Sequence, residues 1–230
     1  MTREKTLLAW SSGKDAAWAL SVLRARGVDV VGLLTTTTIA GAGERVAMHD
    51  VPHALLEEQA SSIGLPLHVV RLPWPCPNDA YEAAMAQAMT RAHAQGIRAI
   101  AFGDLFLADI RAYREAKLAG TGVRPLFPLF GEDTATLARA MIAGGLRARV
   151  ACVDTRRLDA RFAGAEFDET LVASLPNGVD PCGERGEFHT FAWNGPMFRV
   201  PVRVEVGDVI VRDGFAYADL RSAGDAAAAR

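Results

Sequence analysis

The amino-acid sequence predicts an α/β fold, in which a parallel sheet carries helices on both faces and a smaller mixed α+β region follows. Over the first part of the chain, short apolar runs typical of strands alternate with helical patterns through short connections. Beyond residue 130 this alternation ends, and two dipeptides typical of hairpin turns occur, Asn194-Gly195 and Asp213-Gly214. The 230 residues, 50% of them hydrophobic, suffice for one large domain or two small ones. We therefore expect one domain at 1–130 and a second at 131–230.

The individual elements follow from apolar periodicity and from glycine and proline positions. In the first part, strands are expected at residues 7–10, 28–34, 67–72 and 98–102, and helices at 16–26, 53–63, 78–95 and 107–118. Residues 39–51 are expected to form a loop, and 125–129 a short extended piece between prolines. The second part is expected to hold a helix at 134–143 capped by Asp133, a strand at 146–153, a short helix at 169–174, strands from Phe188 onward, and a frayed tail at 224–230.

Charge and cysteine content exclude several classes of protein. The chain carries 25 basic and 27 acidic residues, and this balance gives no general attraction to nucleic acid or to an anionic membrane. Its three cysteines form no C-x-x-C pair, so neither a disulfide framework nor a zinc ribbon is expected. The N-terminus lacks the apolar core of a signal peptide, and no apolar run approaches the ~20 residues that span a bilayer. We expect a reduced, cytoplasmic protein with no membrane partner.

The most informative stretch joins the first predicted strand to the first predicted helix. It reads Ser11, Ser12, Gly13, Lys14 and Asp15. Free backbone N–H groups at a helix start and the helix dipole create an anion site, to which lysine adds a full charge. The stretch is neither a Walker A loop nor a G-x-G-x-x-G turn. The alternative is a tight strand–helix turn with an exposed lysine.

Ligands of an open parallel sheet bind beyond the carboxyl ends of its strands, and this rule selects further residues. Thr35 follows the second predicted strand and could contact a nucleobase or ribose, although a β-branched strand end explains the threonines better. Gly103 permits close backbone approach after the fourth strand, and Asp104 could hold Mg²⁺ or orient a reacting group. The alternative for Asp104 is the cap of the helix that follows.

Two pairs of basic side chains are candidates for substrate binding. Arg111 and Arg114 share one face of a predicted helix and could clamp a phosphate or carboxylate, unless they form surface salt bridges. Arg45 and His49 lie in the loop after the second strand and could line a nucleotide or substrate pocket. A lone histidine in a loop is more often a surface residue.

The segment 180–190 concentrates reactive side chains beside glycines. Glu184 and Glu187 could bind ammonium, act as a base or complete a metal site. Cys182 could act as a nucleophile activated by His189, and Gly183 allows the backbone to bend there. The spacing matches no zinc pattern. The alternative is a polar loop that leads into a hairpin.

Several motifs together resemble one family. Residues 11–16 (SSGKDA) are similar to the phosphate-binding loop of the N-type ATP pyrophosphatases, the PP-loop enzymes, with Ser12 in place of a glycine and Ala16 in place of a serine. Within that group the chain resembles the diphthine–ammonia ligase family, including bacterial members with no assigned substrate. The resemblance rests on these motifs: SSGKDA at 11–16, MHDV at 48–51, FGDLFLADIRAYRE at 102–115, PLFPLF at 125–130 and GVDPCGERGEFHTF at 178–191.

The resemblance implies a Rossmann-like PP-loop fold and an ATP-dependent, amide-forming ligase. ATP phosphates would lie at residues 11–15, a polar site residue at Asp104, and substrate-side groups at Glu184, Glu187 and His189. A carboxylate would attack the α-phosphorus of Mg·ATP, pyrophosphate would leave, and free ammonia would displace AMP. The carboxylate acceptor would be diphthine on elongation factor 2 in an archaeal or eukaryotic protein, and a homodimer is left open. Two alternatives are another PP-loop activity, such as tRNA modification, and a nucleotide sensor that does not turn ATP over.

Overall fold

A computed structural model describes residues 3–40, 43–46 and 50–223. The first sheet contains β1 (Lys5–Ala9), β2 (Asp29–Ala40), β3 (Gly43–Val46), β4 (Leu67–Leu72), β5 (Ala99–Ala101) and β6 (Arg124–Leu126). The helices between these strands are α1 (Lys14–Ala25), α2 (His53–Ile63), α3 (Asn78–Ala94) and α4 (Ala108–Leu118). The rest of the chain forms α5 (Thr134–Ala143), β7 (Arg147–Asp154), a 3₁₀ turn (Ala160–Phe162), α6 (Glu169–Ser174), β8 (Phe188–Asn194), β9 (Val204–Arg212) and β10 (Phe215–Ser222).

The first sheet is parallel apart from one strand, which confirms the expected α/β class. Strand β1 lies between β2 and β5, β6 continues beyond β5, and β4 runs parallel to β2. Side chains of successive strand residues point to opposite faces. Accordingly Leu8 packs into the core with α1 and α2, while its neighbour Leu7 packs with α3 on the other face. The helices therefore cover both faces, as the sequence predicts.

The loop predicted at 39–51 is wrong in its first part. Strand β2 continues through the threonines to Ala40, and β3 pairs with it in antiparallel register. The β-branched side chains of Thr35 to Thr38 favour extended backbone, and the Thr37 hydroxyl donates to the Glu44 carboxylate of the partner strand at 2.6 Å.

The second sheet has the strand order β8-β7-β10-β9 and is antiparallel throughout. The hairpin turn predicted at Asp213-Gly214 is confirmed, and both residues have positive φ angles, 51° and 79°, as a tight turn between β9 and β10 requires. The hairpin predicted at Asn194-Gly195 is wrong, because β8 pairs with β7 and does not pair with β9. The Asn194 side chain instead accepts the N–H of Gly195 at 2.9 Å, which ends the strand.

One continuous hydrophobic core joins the two sheets. It contains Leu20 of α1 and Leu56 of α2 together with Phe191 of β8 and Leu220 of β10. The second sheet therefore packs on the face of the first sheet that α1 and α2 cover. The predicted cap of α5 is confirmed, since Asp133 accepts the N–H of Thr136 at 2.8 Å. The tail at 224–230 lies outside the described residues. Among the helices that the structure describes, none combines the length and apolarity needed to cross a bilayer.

Candidate active site

The residues between β1 and α1 form a tight turn at the carboxyl end of the first sheet. Ser12 is fully buried and has a positive φ angle of 70°, a conformation that costs a non-glycine residue energy. A Cβ atom on Gly13 would lie 3.3 Å from both the Ser11 hydroxyl oxygen and the Thr190 carbonyl oxygen. The small residues predicted to allow close approach are therefore needed by the protein's own packing.

Strand β8 of the second sheet holds this turn in place. The Lys14 N–H, at the start of α1, donates to the Thr190 hydroxyl at 3.0 Å, and the Ala192 N–H donates to the Ser12 carbonyl at 2.8 Å. Gly13, the N-cap residue of α1, provides no side-chain cap of its own. Helix α1, which follows the candidate phosphate-binding turn, is thus capped by the side chain of Thr190, a residue far away in the sequence.

Gln59 of α2 joins the same two segments. Its amide nitrogen donates to the Ser12 carbonyl at 3.0 Å and to the Ala192 carbonyl at 2.6 Å, and its oxygen accepts the indole N–H of Trp10 at 2.8 Å. The sequence reasoning missed this residue. The available signal was an uncharged polar residue in the buried stripe of a helix, between Leu56 and Ile63.

Lys14 is 1% exposed, so the alternative of an exposed lysine does not hold. Its ammonium group contacts the Asp15 carboxylate at 2.9 Å and the Cys182 carbonyl, and lies over the Phe167 and Phe188 rings, 5.4 and 5.3 Å from their centroids. Burial alone would lower the pKa of Lys14, but the nearby negative charges, Asp15 foremost, outweigh it and raise the pKa. The lysine is therefore a fixed buried cation.

Three buried polar atoms around this turn have no hydrogen-bond partner within the part of the chain that the structure describes. They are the Ser12 hydroxyl oxygen, one carboxylate oxygen of Asp15 and the Thr35 hydroxyl oxygen. Because Ala9 at the end of β1 pairs with Leu34, Thr35 lies one residue beyond that end, on the neighbouring strand. Buried polar groups normally have partners, so these atoms indicate where polar atoms of a ligand fit.

The end of β5 approaches the same turn from the other side. A Cβ atom on Gly103 would lie 3.0 Å from the backbone of Asp15 and Ala16, which explains the glycine. Both oxygens of Asp104 accept hydrogen bonds from the Arg114 guanidinium, at 2.6 and 3.0 Å, and that guanidinium stacks 4.2 Å from the Phe102 ring centroid. Asp104 therefore does not cap α4, whose N-cap residue is Leu107 and has no side-chain bond.

Glu184 connects the segment 180–190 to this edge of the sheet. One of its oxygens accepts the N–H of Leu105 at 2.8 Å and that of Phe106 at 3.4 Å, just after β5. Burial raises the pKa of Glu184 to about 7, and the negative charges of Asp15 and Asp104 add to the rise against these two hydrogen bonds. A carboxylate with this pKa can accept and release a proton near neutral pH.

Glu187 is buried and shapes the loop around Glu184. One of its oxygens accepts the N–H of Asp180 at 3.2 Å and the other accepts the N–H of Arg185 at 3.0 Å. Gly183 has a φ angle of 69°, and a Cβ atom there would lie 2.7 Å from the Phe188 carbonyl oxygen. Both residues thus hold the loop in its bent form.

The chemistry of Cys182 and His189 is set by burial and by Lys14. Burial raises the pKa of the Cys182 thiol, which stays protonated and donates to the Thr134 carbonyl at 3.4 Å. Burial, with the Lys14 charge beside it, lowers the pKa of His189 to about 4, so its imidazole is neutral near pH 7. With the thiol protonated and the imidazole neutral, these two side chains are not an activated nucleophile pair.

Arg111 and Arg45 make their contacts with residues outside this cluster. The Arg111 guanidinium pairs with Glu115 at 2.8 Å and stacks on the Phe127 and Phe130 rings. This matches the alternative of a surface helix with salt bridges. Arg45 lies on β3 and donates to the Asp50 carbonyl at 2.7 Å. His49 lies outside the described residues. Arg111 and Arg114 therefore do not act as one clamp in this structure.

The described residues do not form a dedicated magnesium site. In the ranges 3–40, 43–46 and 50–223, no three histidine, cysteine or carboxylate side chains converge to hold a metal ion. Both oxygens of Asp104, the predicted ligand, are engaged by Arg114. Magnesium therefore remains an expectation tied to the phosphates of ATP.

The sequence is similar to known proteins over most of its length, including the segment 180–190. The model of the diphthamide synthase C-terminal domain family matches residues 133–221, a range that contains Glu184, His189 and Thr190. The human diphthine–ammonia ligase is 24% identical over 231 residues, which cover 91% of this chain and 86% of the human protein. The zebrafish protein of the same name is 25% identical over 240 residues, covering 91% and 90%.

The chain is similar to the diphthine–ammonia ligases over most of its length, and residues 133–221 match the diphthamide synthase C-terminal domain family. The resemblance recognised from the sequence motifs is confirmed. The family match covers the second sheet and the segment 180–190, and the similarity to the ligases extends over 91% of the chain.

Proposed function

We propose that this chain is an ATP-dependent ligase that joins ammonia to a carboxylate. One observation supports the proposal most strongly. Glu184, from the part of the chain that matches the family, is bonded to the Leu105 N–H at the carboxyl end of β5, beside the turn at residues 11–15. A phosphate-binding turn and a carboxylate with a pKa near neutrality thus share one edge of the sheet.

In this proposal the turn at residues 11–15 takes the triphosphate of ATP. The helix start supplies positive potential, and Lys14 adds a fixed charge without any reorganisation when the substrate binds. The unpartnered oxygens of Ser12 and Thr35 lie where polar atoms of the nucleotide would bind. The acceptor carboxylate attacks the α-phosphorus, and the bond to the pyrophosphate leaving group breaks.

Amide formation then needs a neutral ammonia molecule. The deprotonated Glu184 carboxylate accepts one proton from ammonium, and the freed ammonia attacks the acyl carbon of the adenylate. The acyl–oxygen bond breaks, AMP leaves, and one proton is lost from nitrogen to give the amide. Glu187 and Arg114 act as positioning residues here, because Glu187 shapes the loop and Arg114 fixes Asp104.

The acceptor that we propose first is diphthine, because the relatives are named for it. The test incubates the chain with ATP, ¹⁵N-labelled ammonium and either elongation factor 2 carrying diphthine or a panel of small carboxylates. The expected result is AMP and pyrophosphate in equal amounts, with the label in the acceptor as an amide. The Glu184→Gln variant should fail to transfer the label, whereas Glu132→Gln, a change on an exposed residue, should not affect it.

Two results would contradict the proposal. Binding of ATP with no AMP formed from any acceptor would indicate a nucleotide sensor. AMP formed only with tRNA, with the label in the nucleic acid, would indicate a tRNA-modifying PP-loop enzyme.

A further inference from the structure

Strand β9 is an edge strand whose outer side chains are unusually apolar. Within the described residues, β9 pairs with β10 on one side and with no strand on the other. Val209, Ile210 and Val211 are consecutive and are 44%, 51% and 61% exposed. Native proteins usually protect such an edge with lysine, proline or a bulge. The bulge between β9 and β10 falls at Gly207 and Asp208, so residues 209–212 remain a regular edge without lysine or proline.

The exposed valines continue the hydrophobic core of the second sheet. Val209 is opposite Ala218 and Val211 is opposite Ala216 on β10, and both alanines belong to the core. Residues directly opposite each other on neighbouring strands share a face of the sheet. The core face of the sheet therefore extends to β9 without being covered there, and an uncovered face of this kind marks an interaction surface.

The sequence of this edge is complementary to itself. If two copies of β9 pair antiparallel about a two-fold axis at Ile210, then Ile210 faces its own copy, Val209 faces Val211, and Asp208 faces Arg212. Each Asp208–Arg212 contact occurs twice by symmetry. Asp208 is exposed and forms no ion pair in the described part of the chain, whereas Arg212 pairs with Asp50 at 2.7 Å and remains half-exposed.

We infer that β9 is a homodimer interface, at which two copies of this chain pair through residues 208–212 to form one continuous eight-stranded sheet. The apolar contacts of Val209, Ile210 and Val211 supply the driving force, and the Asp208–Arg212 pairs select the antiparallel register. The occupant of this edge is a second copy of the chain, because a second copy matches the apolar residues and the flanking charges at once. The surface lies outside the candidate active site, so this inference does not depend on the proposed function.

The first test measures the molar mass of the full chain by light scattering after size-exclusion chromatography, over a wide range of concentrations. The expected mass is twice the 24.6 kDa of one chain, and Val211→Lys should reduce it to that of a single chain. Val200→Lys is the matched control, because Val200 is 61% exposed but lies outside β9. A wild-type protein that is monomeric at every concentration, or a dimer that Val211→Lys does not affect, would overturn the inference.

The second test does not depend on how well Val211→Lys folds. Ile210→Cys is introduced together with Cys76→Ser. Cys76 is removed because it is the one of the three native cysteines that is not buried and could itself be oxidised. Mild oxidation should link two chains through residue 210, which faces its own copy, and should not link chains that carry Glu205→Cys instead. Crosslinking at 205 and none at 210 would overturn the proposed register.

Discussion

The Thr190 hydroxyl accepts the backbone N–H of Lys14 at 3.0 Å, although the two residues are 176 positions apart in the sequence. Lys14 is the first residue of α1, and Thr190 lies on β8 of the second sheet. A cap that is normally local is here supplied across the interface between the two sheets.

Thr190→Val should destabilise the protein and weaken ATP binding. The change leaves the buried Lys14 N–H without an acceptor, which costs about 1–3 kcal/mol. Thr190→Ser keeps the hydroxyl, and its free energy of unfolding should fall by less than half as much as that of Thr190→Val. Urea unfolding gives the free energy, and the KM for ATP should rise in the valine variant alone. Equal losses in both variants would indicate that the methyl group matters and the hydroxyl does not.

Gln59→Leu should be among the more damaging single changes in the first part of the chain. It removes the partner of the Trp10 indole N–H and one donor each from the Ser12 and Ala192 carbonyls, at a cost of about 3 kcal/mol. Gln87→Leu makes the same chemical change on the exposed face of α3 and should shift stability by less than about 0.5 kcal/mol. A Gln59 variant as stable as the Gln87 variant would contradict the role assigned to Gln59.

Lys14→Met should abolish turnover and also destabilise the fold. It leaves the Asp15 carboxylate without its cation, and breaking such a pair costs about 3–5 kcal/mol when both groups are buried. We expect the lower end of that range, because the Asp15 side chain is still 26% exposed. Lys14→Met combined with Asp15→Asn should recover most of the stability and none of the activity. A double variant as unstable as the single one would show that the charge pair is not the cause.

The pH dependence of turnover should report the ionisation of Glu184. Its carboxylate must be deprotonated to accept a proton from ammonium, so kcat should rise with pH through about 7. The Glu184→Gln variant should be slow and lose this rise. A wild-type profile without an inflection near neutrality would exclude Glu184 as the base.

Stability should change with pH in the opposite sense. The pKa of Glu184 is about 7 in the folded protein and near its ordinary 4.5 in the unfolded chain. Between these values the folded protein keeps a proton that the unfolded chain has lost, so this contribution to stability falls as pH rises from about 4.5 to 7. Urea unfolding of wild type and Glu184→Gln across this range should show a steeper decline in wild type. Parallel curves would contradict the raised pKa.

The sequence predicts the local features of this protein well and its long-range contacts poorly. The turn at residues 11–15, the parallel strands and the cap at Asp133 follow from neighbouring residues, and the structure contains all three. Thr190 and Gln59 act on a turn that lies far from them in the sequence, so no local pattern marks them. The burial of the Lys14 side chain is not predictable from local sequence for the same reason, because the rings and the carbonyl that surround it come from residues 167–188.

The cap that Thr190 provides has a consequence for how such proteins can be recombined. The first 130 residues contain the whole turn at residues 11–15, yet the hydroxyl that caps the helix after it, the backbone amide that bonds to Ser12 and the rings around Lys14 all come from later in the chain. A chimera with an unrelated second half would keep the motif at residues 11–16 and lose the contacts that hold it in place. The two halves must be inherited together.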